Sequence, residues 1–123
     1  MGNRAVIAFK NSDTGIYLHW NGGRESVQAF VDTAKALKVR NPCRDDYGIA
    51  RMVQIIGNFF GGTLSLGIGK PSHLDDSDNG TYTIDEDWNI TNPRNNNHPF
   101  DKEYYEGVFA RCMERNEPMF KGE

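Results

Sequence analysis

Cysteine and histidine are scarce in this chain, with two of the former and three of the latter among 123 residues. His19, His73 and His98 fall in three separate segments, and no pair of them has the spacing of a zinc site. Cys43 and Cys112 stand far apart, and in a reducing compartment such a pair is two free thiols. Long apolar runs are also missing, since nothing approaches the ~20 residues of a bilayer span. The opening residues, Met1-Gly2-Asn3-Arg4-Ala5-Val6, carry neither the apolar stretch nor the cleavage site of a signal peptide. A myristoylation signal would need Ser or Thr where Val6 stands. The expectation is a cytoplasmic protein with no membrane partner. Surplus positive charge is lacking as well: the net charge of −3 argues against DNA or RNA as a general partner. The one phosphate-loop candidate, Gly67-Ile68-Gly69-Lys70, has Leu64 where the pattern needs glycine and Pro71 where it needs Ser or Thr. With no activated nucleophile in view either, the sequence predicts no catalytic group, no metal and no cofactor.

What is present suits a single domain, spanning residues 1–123. Hydrophobic residues make up 37% and charged residues 25%, a balance that folds rather than stays disordered. Charge is unevenly spread: residues 1–60 hold eight Lys/Arg against five Asp/Glu, and residues 61–123 six against twelve. That asymmetry suits head-to-tail self-association or an anion pocket in acidic surroundings, although solvated faces explain it too.

Residues 4–10 and 16–20 read as a hairpin around the turn residues Asn11-Ser12-Asp13-Thr14-Gly15. From Arg24 to Val39, the positions Val27, Phe30, Val31, Ala34 and Leu37 follow the helical period. A second helix, capped by Asp45 or Asp46, places Ile49, Met52, Val53, Ile56 and Phe60 together and stops at Gly61-Gly62. Residues 63–68, 81–84 and 88–91 read as short strands, and Asp101 caps a last helix to about Arg115. Hairpins dominate this order, which predicts an α+β fold: a mainly antiparallel sheet with two central helices and a C-terminal helix.

Several features suit an anionic ligand. Gly22-Gly23 lies beside Arg24, and Gly61-Gly62 beside Thr63, although turning a hairpin and ending a helix explain these glycines equally well. Arg111 and Arg115, at i and i+4, share a helix face and could converge on one pyrophosphate; they also suit the helix dipole, with Glu114 and Glu117 as ion-pair partners. Of the aromatics, Phe30, Phe59 and Phe109 sit at packing positions, whereas Tyr82 and Trp88, on short strands flanked by polar residues, are the stacking candidates. Asp75, Ser77, Asn79, Gly80 and Glu86 occupy places of an EF-hand loop, but Thr81-Tyr82-Thr83-Ile84 is strand-like where a helix is required, so an acidic hairpin turn is the better reading.

The segments at residues 3–9 and 16–23, with Asp46-Tyr47-Gly48-Ile49-Ala50-Arg51 and residues 57–67, together resemble the first-described anti-Thoeris family of phage and prophage "sponge" proteins over nearly the whole chain. The resemblance implies an α+β protein that dimerises and can build a hexamer in the host cell cytoplasm. It further implies sequestration of cyclic ADP-ribose immune signals without cleavage, and of cyclic oligonucleotides of the related CBASS defence at a second site. Position by position, Tyr82 corresponds to a base-contacting aromatic, with Tyr in place of Phe, and Asn92, Arg111 and Arg115 correspond to polar and cationic ligand contacts. Arg24 with Gly61, Gly62 and Thr63 would frame the second site. Two rival readings stand beside this one. A small inhibitor of a host protein, in the manner of an anti-CRISPR, would use the acidic stretch 75–87 to mimic nucleic acid. A cyclic-nucleotide-cleaving enzyme finds no metal cluster or His pair in its support.

Overall fold

Five short strands carry the backbone pairing, in the order β3-β2-β1-β4-β5. The computed structural model describes residues 2–91 and 99–120. The strands are β1 (Ala5–Phe9), β2 (Gly15–Leu18), β3 (Leu66–Gly69), β4 (Thr81–Ile84) and β5 (Ile90–Thr91), and the helices are α1 (Arg24–Ala36), α2 (Asp46–Phe60) and α3 (Lys102–Asn116). This is the α+β architecture expected, with two helices mid-chain and one at the C-terminal end. Neighbouring strands run antiparallel except for β1 and β4, whose parallel pairing matches Ile7 with Tyr82 and Phe9 with Ile84.

Strand alternation decides which side chains enter the core. Residues directly opposite one another share a face, so the rung Ile16, Ile7, Tyr82 places all three toward the helices. Ala5, Ile7, Phe9, Ile16, Leu18, Tyr82 and Ile84 accordingly join Val27, Phe30 and Val31 of α1 and Met52, Ile55 and Ile56 of α2 in one buried cluster.

Each helix end has an identifiable cause. Asp45 accepts a hydrogen bond from the Gly48 backbone N–H at 3.0 Å and starts α2. Gly61, at φ 81°, ends it in the left-handed conformation that disfavours a side chain. Asp101 starts α3 by accepting from the Tyr104 N–H at 3.0 Å. Asn41, between α1 and α2, donates its amide to the carbonyls of Asp85 and Glu86 and so fixes the helix connection to the β4–β5 turn. Both cysteines are free thiols, as expected.

α3 lies across α1 and α2 and is held by polar contacts at both ends. Near its start, the Asp101 N–H donates to the Glu25 carboxylate at 2.9 Å, and the Tyr105 hydroxyl donates to Asp32. Burial and the bond to Asp32 raise the Tyr105 pKa to about 12. Near its end, the fully buried Asn116 amide donates to the Ile55 carbonyl at 3.0 Å and accepts from Asn58 at 2.9 Å. These bonds fix the spacing between α3 and the end of α2, where a cleft opens.

Candidate functional site: a cleft between the second and third helices

A cleft of about 820 Å³ opens where the C-terminal end of α2 meets α3, bounded also by Asn21 of the β2–α1 loop. Helical spacing builds its α3 side: Tyr104, Gly107, Val108 and Arg111 lie at i, i+3, i+4 and i+7. Phe59 and Phe60, the last residues of α2, build the other side. Their rings meet edge to face, with centroids 5.2 Å apart, and Phe59 makes the same contact with buried Phe30 at 5.2 Å. The aromatic wall is thereby anchored in the core.

The polar groups of the cleft are few and of both signs. The Arg111 guanidinium sits over the Phe59 ring, 5.3 Å from its centroid. Such a contact orients the cation without neutralising it. Asp101 and Glu103 bring carboxylates to the cleft, and Tyr104, half exposed, accepts a hydrogen bond on its hydroxyl from the Asn21 amide at 3.4 Å. Asn21 itself adopts φ 58° and also donates to Ser26 at 3.1 Å, which holds its amide at the cleft. Chemically, a cation, three aromatic rings, an amide and carboxylates in one concave surface suit a ligand that combines a phosphate, a flat heterocycle and sugar hydroxyls.

The structure divides the arginine pair. Arg111 reaches the cleft, while Arg115 donates to the Phe59 carbonyl at 3.0 Å and satisfies a backbone acceptor at the end of α2. The two guanidiniums thus hold Phe59 from ring and backbone respectively, and Arg115 acts on the cleft by positioning its wall.

Tyr82 requires a correction to the stacking expectation. Its side chain is 1% exposed, and its hydroxyl donates to the Gly22 carbonyl at 2.8 Å. Burial, then the negative charge of Glu25, raises the phenol pKa to about 12, so the group stays a neutral donor. A ring in that position has no face left for a ligand base. The Gly22 loop is close-packed around it, since a Cβ on Gly22 would lie 2.3 Å from the Asn3 carbonyl oxygen. Trp88 is likewise half-buried against the core, in the β4–β5 turn at φ 66°. The aromatic rings with exposed surface at the cleft are those of Phe60 and Tyr104. Asn92 lies outside the described residues.

The second anion site is not assembled within one chain. Arg24, first residue of α1, stacks on Phe100 at 5.3 Å, just before α3 begins. Gly61 lies beside Arg115, where a Cβ would sit 3.6 Å from its guanidinium, and Thr63 packs near Gly57. Residues 102 and 115 of α3 are roughly 20 Å apart along the axis, so Arg24 and the 61–63 turn are attached at opposite ends of that helix.

The acidic loop is committed internally. Asp75 and Asp78 bind the Arg4 guanidinium at 2.9 and 3.1 Å, and Asp76 accepts from the Thr81 hydroxyl at 2.8 Å. Backbone N–H groups, that of Ser77 for Asp75 and that of Arg4 for Asp78, hold both carboxyls below their usual range, with Arg4 adding to this. Strand β4 follows this loop where an EF-hand needs a helix, and among the described residues no group of three or more His, Cys, Asp or Glu could hold a metal ion. No helix among the described residues is long and apolar enough to cross a membrane.

Compared with family models, with curated proteins and with solved structures, the chain shows no match.

Proposed function

We propose that the protein captures a cyclic nucleotide signal of the cyclic ADP-ribose class in the cleft between α2 and α3 and holds it unaltered, as an anti-defence sponge. The observation that carries this is the Arg111 guanidinium, stacked on Phe59, in the same 820 Å³ cleft as Phe60 and Tyr104. Arg111 suits one phosphate of a pyrophosphate, Phe60 or Tyr104 suits the adenine face, and Asn21 with Glu103 suits ribose hydroxyls. The anti-Thoeris resemblance supplies the ligand class, and the cleft supplies a surface of matching chemistry. The reading places the protein in the host cell cytoplasm, with holding rather than bond cleavage as its task.

A homo-oligomer belongs to the same proposal. Nanomolar capture requires about 12 kcal/mol, and one guanidinium with two rings in an open cleft supplies only part of it once ordering costs are met. A second copy closing the cleft supplies the remainder, and it also offers a route by which Arg24 of one subunit meets Gly61, Gly62 and Thr63 of another to take a cyclic oligonucleotide. Light scattering that finds a monomer at micromolar concentration, with capture intact, removes this part. The inhibitor reading is weaker because three of the six carboxylates in the 75–87 stretch lie in ion pairs: Asp75 and Asp78 with Arg4, and Glu86 with Lys10 at 3.7 Å.

The test is capture and release. Protein in excess is mixed with cyclic ADP-ribose, filtered, then heated to denature it, and the nucleotide is quantified at each stage. The expected result is depletion of the filtrate and recovery of the same nucleotide, unchanged in mass and chromatographic position, after heating. Recovery of a linear product means an enzyme, and a filtrate that is never depleted contradicts the proposal.

A further inference from the structure

Gly107 stands in the interior of α3, within the cleft lining, where glycine is a poor choice for the helix itself. Packing explains the helical Gly48, where a Cβ would lie 2.6 Å from the Arg40 carbonyl oxygen; on Gly57 a Cβ would make only an ordinary contact, 3.6 Å from the Thr63 methyl. At Gly107 a Cβ would meet nothing within 4 Å. No neighbour in the protomer therefore requires the missing side chain, and Gly107 is not held at a positive φ. What the glycine leaves is a gap on the helix face between Tyr104 and Arg111, whose positions are roughly 10 Å apart along the axis. That gap has an aromatic group at one end, a cation at the other, and Phe60 in the same cleft.

We infer that Gly107 is the ligand-admitting position of the cleft: the bound nucleotide's planar heterocycle lies directly on the α3 backbone at Gly107, between Tyr104 and Arg111. The inference rests on the cleft being the ligand site. It assigns a size-selecting role to a residue that touches the ligand through its backbone. A side chain here would fill the slot that the flat ring needs, so selectivity for a planar group follows from the absence of a Cβ.

The experiment combines calorimetric binding of cyclic ADP-ribose with thermal unfolding for Gly107→Ala, Gly107→Leu, Phe60→Ala and the parent chain. Alanine is a better helix former than glycine, so Gly107→Ala is expected to raise Tm by about 3–6 °C. The same change is expected to weaken binding about tenfold. Gly107→Leu, with helix content retained by circular dichroism, is expected to lose a hundredfold or more, as a larger group enters a shaped site. Binding by both Gly107 variants equal to the parent, while Phe60→Ala weakens it, overturns the inference and leaves the cleft reading standing. Unchanged binding by Phe60→Ala as well overturns both. A change in assembly mass with Gly107→Leu, at unaltered affinity per subunit, assigns the gap to a second copy of the chain and overturns the inference too.

Discussion

Tyr82→Ala is expected to lower folding stability by about 3–5 kcal/mol, the range for deleting a large aromatic from a packed core. The ring is 1% exposed and lies in one rung with Ile7 and Ile16, so the cavity it leaves is walled by sheet and helices. Tyr82→Phe is the informative partner variant. It keeps the ring and removes only the bond from the hydroxyl to Gly22, at an expected cost of about 1–2 kcal/mol, with capture unchanged. The pH dependence follows in sign. A phenol whose pKa rises from 10.0 to about 12 on folding stabilises the folded state fully below pH 10. That contribution is lost as pH rises through this interval, because the unfolded chain releases its proton first. Tyr105 contributes a similar loss, so Tyr82→Phe reduces the alkaline decline without abolishing it. Urea denaturation at neutral and alkaline pH reads these effects. A folded Tyr82→Phe variant that no longer captures ligand would contradict the buried assignment.

Arg111→Ala is expected to weaken nucleotide binding by about ten- to a hundredfold, which corresponds to about 1.4–2.7 kcal/mol for a charge-assisted contact to phosphate. Stability is expected to change little, because the Arg111 side chain is exposed and its one aromatic contact contributes about 1 kcal/mol or less. Arg111→Lys is expected to restore binding only in part, since an ammonium group lacks the planar fork that grips two oxygens. Arg115→Ala separates the pair. Its loss leaves the Phe59 carbonyl without that donor, so the expected effect is a stability cost of about 1 kcal/mol with a smaller, indirect effect on binding. Calorimetry with circular dichroism on the three variants decides this. Equal binding losses at unchanged stability for both alanine variants would mean that Arg115 leaves Phe59 to clamp the ligand.

Much of the fold is legible in local patterns. The period of Val27, Phe30, Val31 and Ala34 gives α1, and Asp45, Asp101 and Gly61 mark helix ends through short-range hydrogen bonds and a left-handed turn. The parallel pairing of β1 with β4 is not legible in the same way, because hairpin signals are local and β2, α1, α2 and β3 separate these strands in sequence. The burial of Tyr82 is legible in the alternation Thr81, Tyr82, Thr83, Ile84, which sets it in phase with buried Ile84. The polar threonines belong to the opposite face, so polar neighbours in sequence flank a ring that lies in the core. For the arginines, i and i+4 spacing gives the shared face and no more; the carbonyl that occupies Arg115 comes from another helix. The cleft had a sequence signal in Tyr104, Gly107 and Arg111 on one helix face, with a glycine where a helix former belongs.

Where the nucleotide sits is the most direct test of the account. A crystal structure of the protein saturated with cyclic ADP-ribose is predicted to show the intact ligand between α2 and α3, with a phosphate on Arg111, its ring on the Gly107 backbone, and Phe60 or Tyr104 against its other face. Ligand bound elsewhere, with this cleft empty, would contradict it.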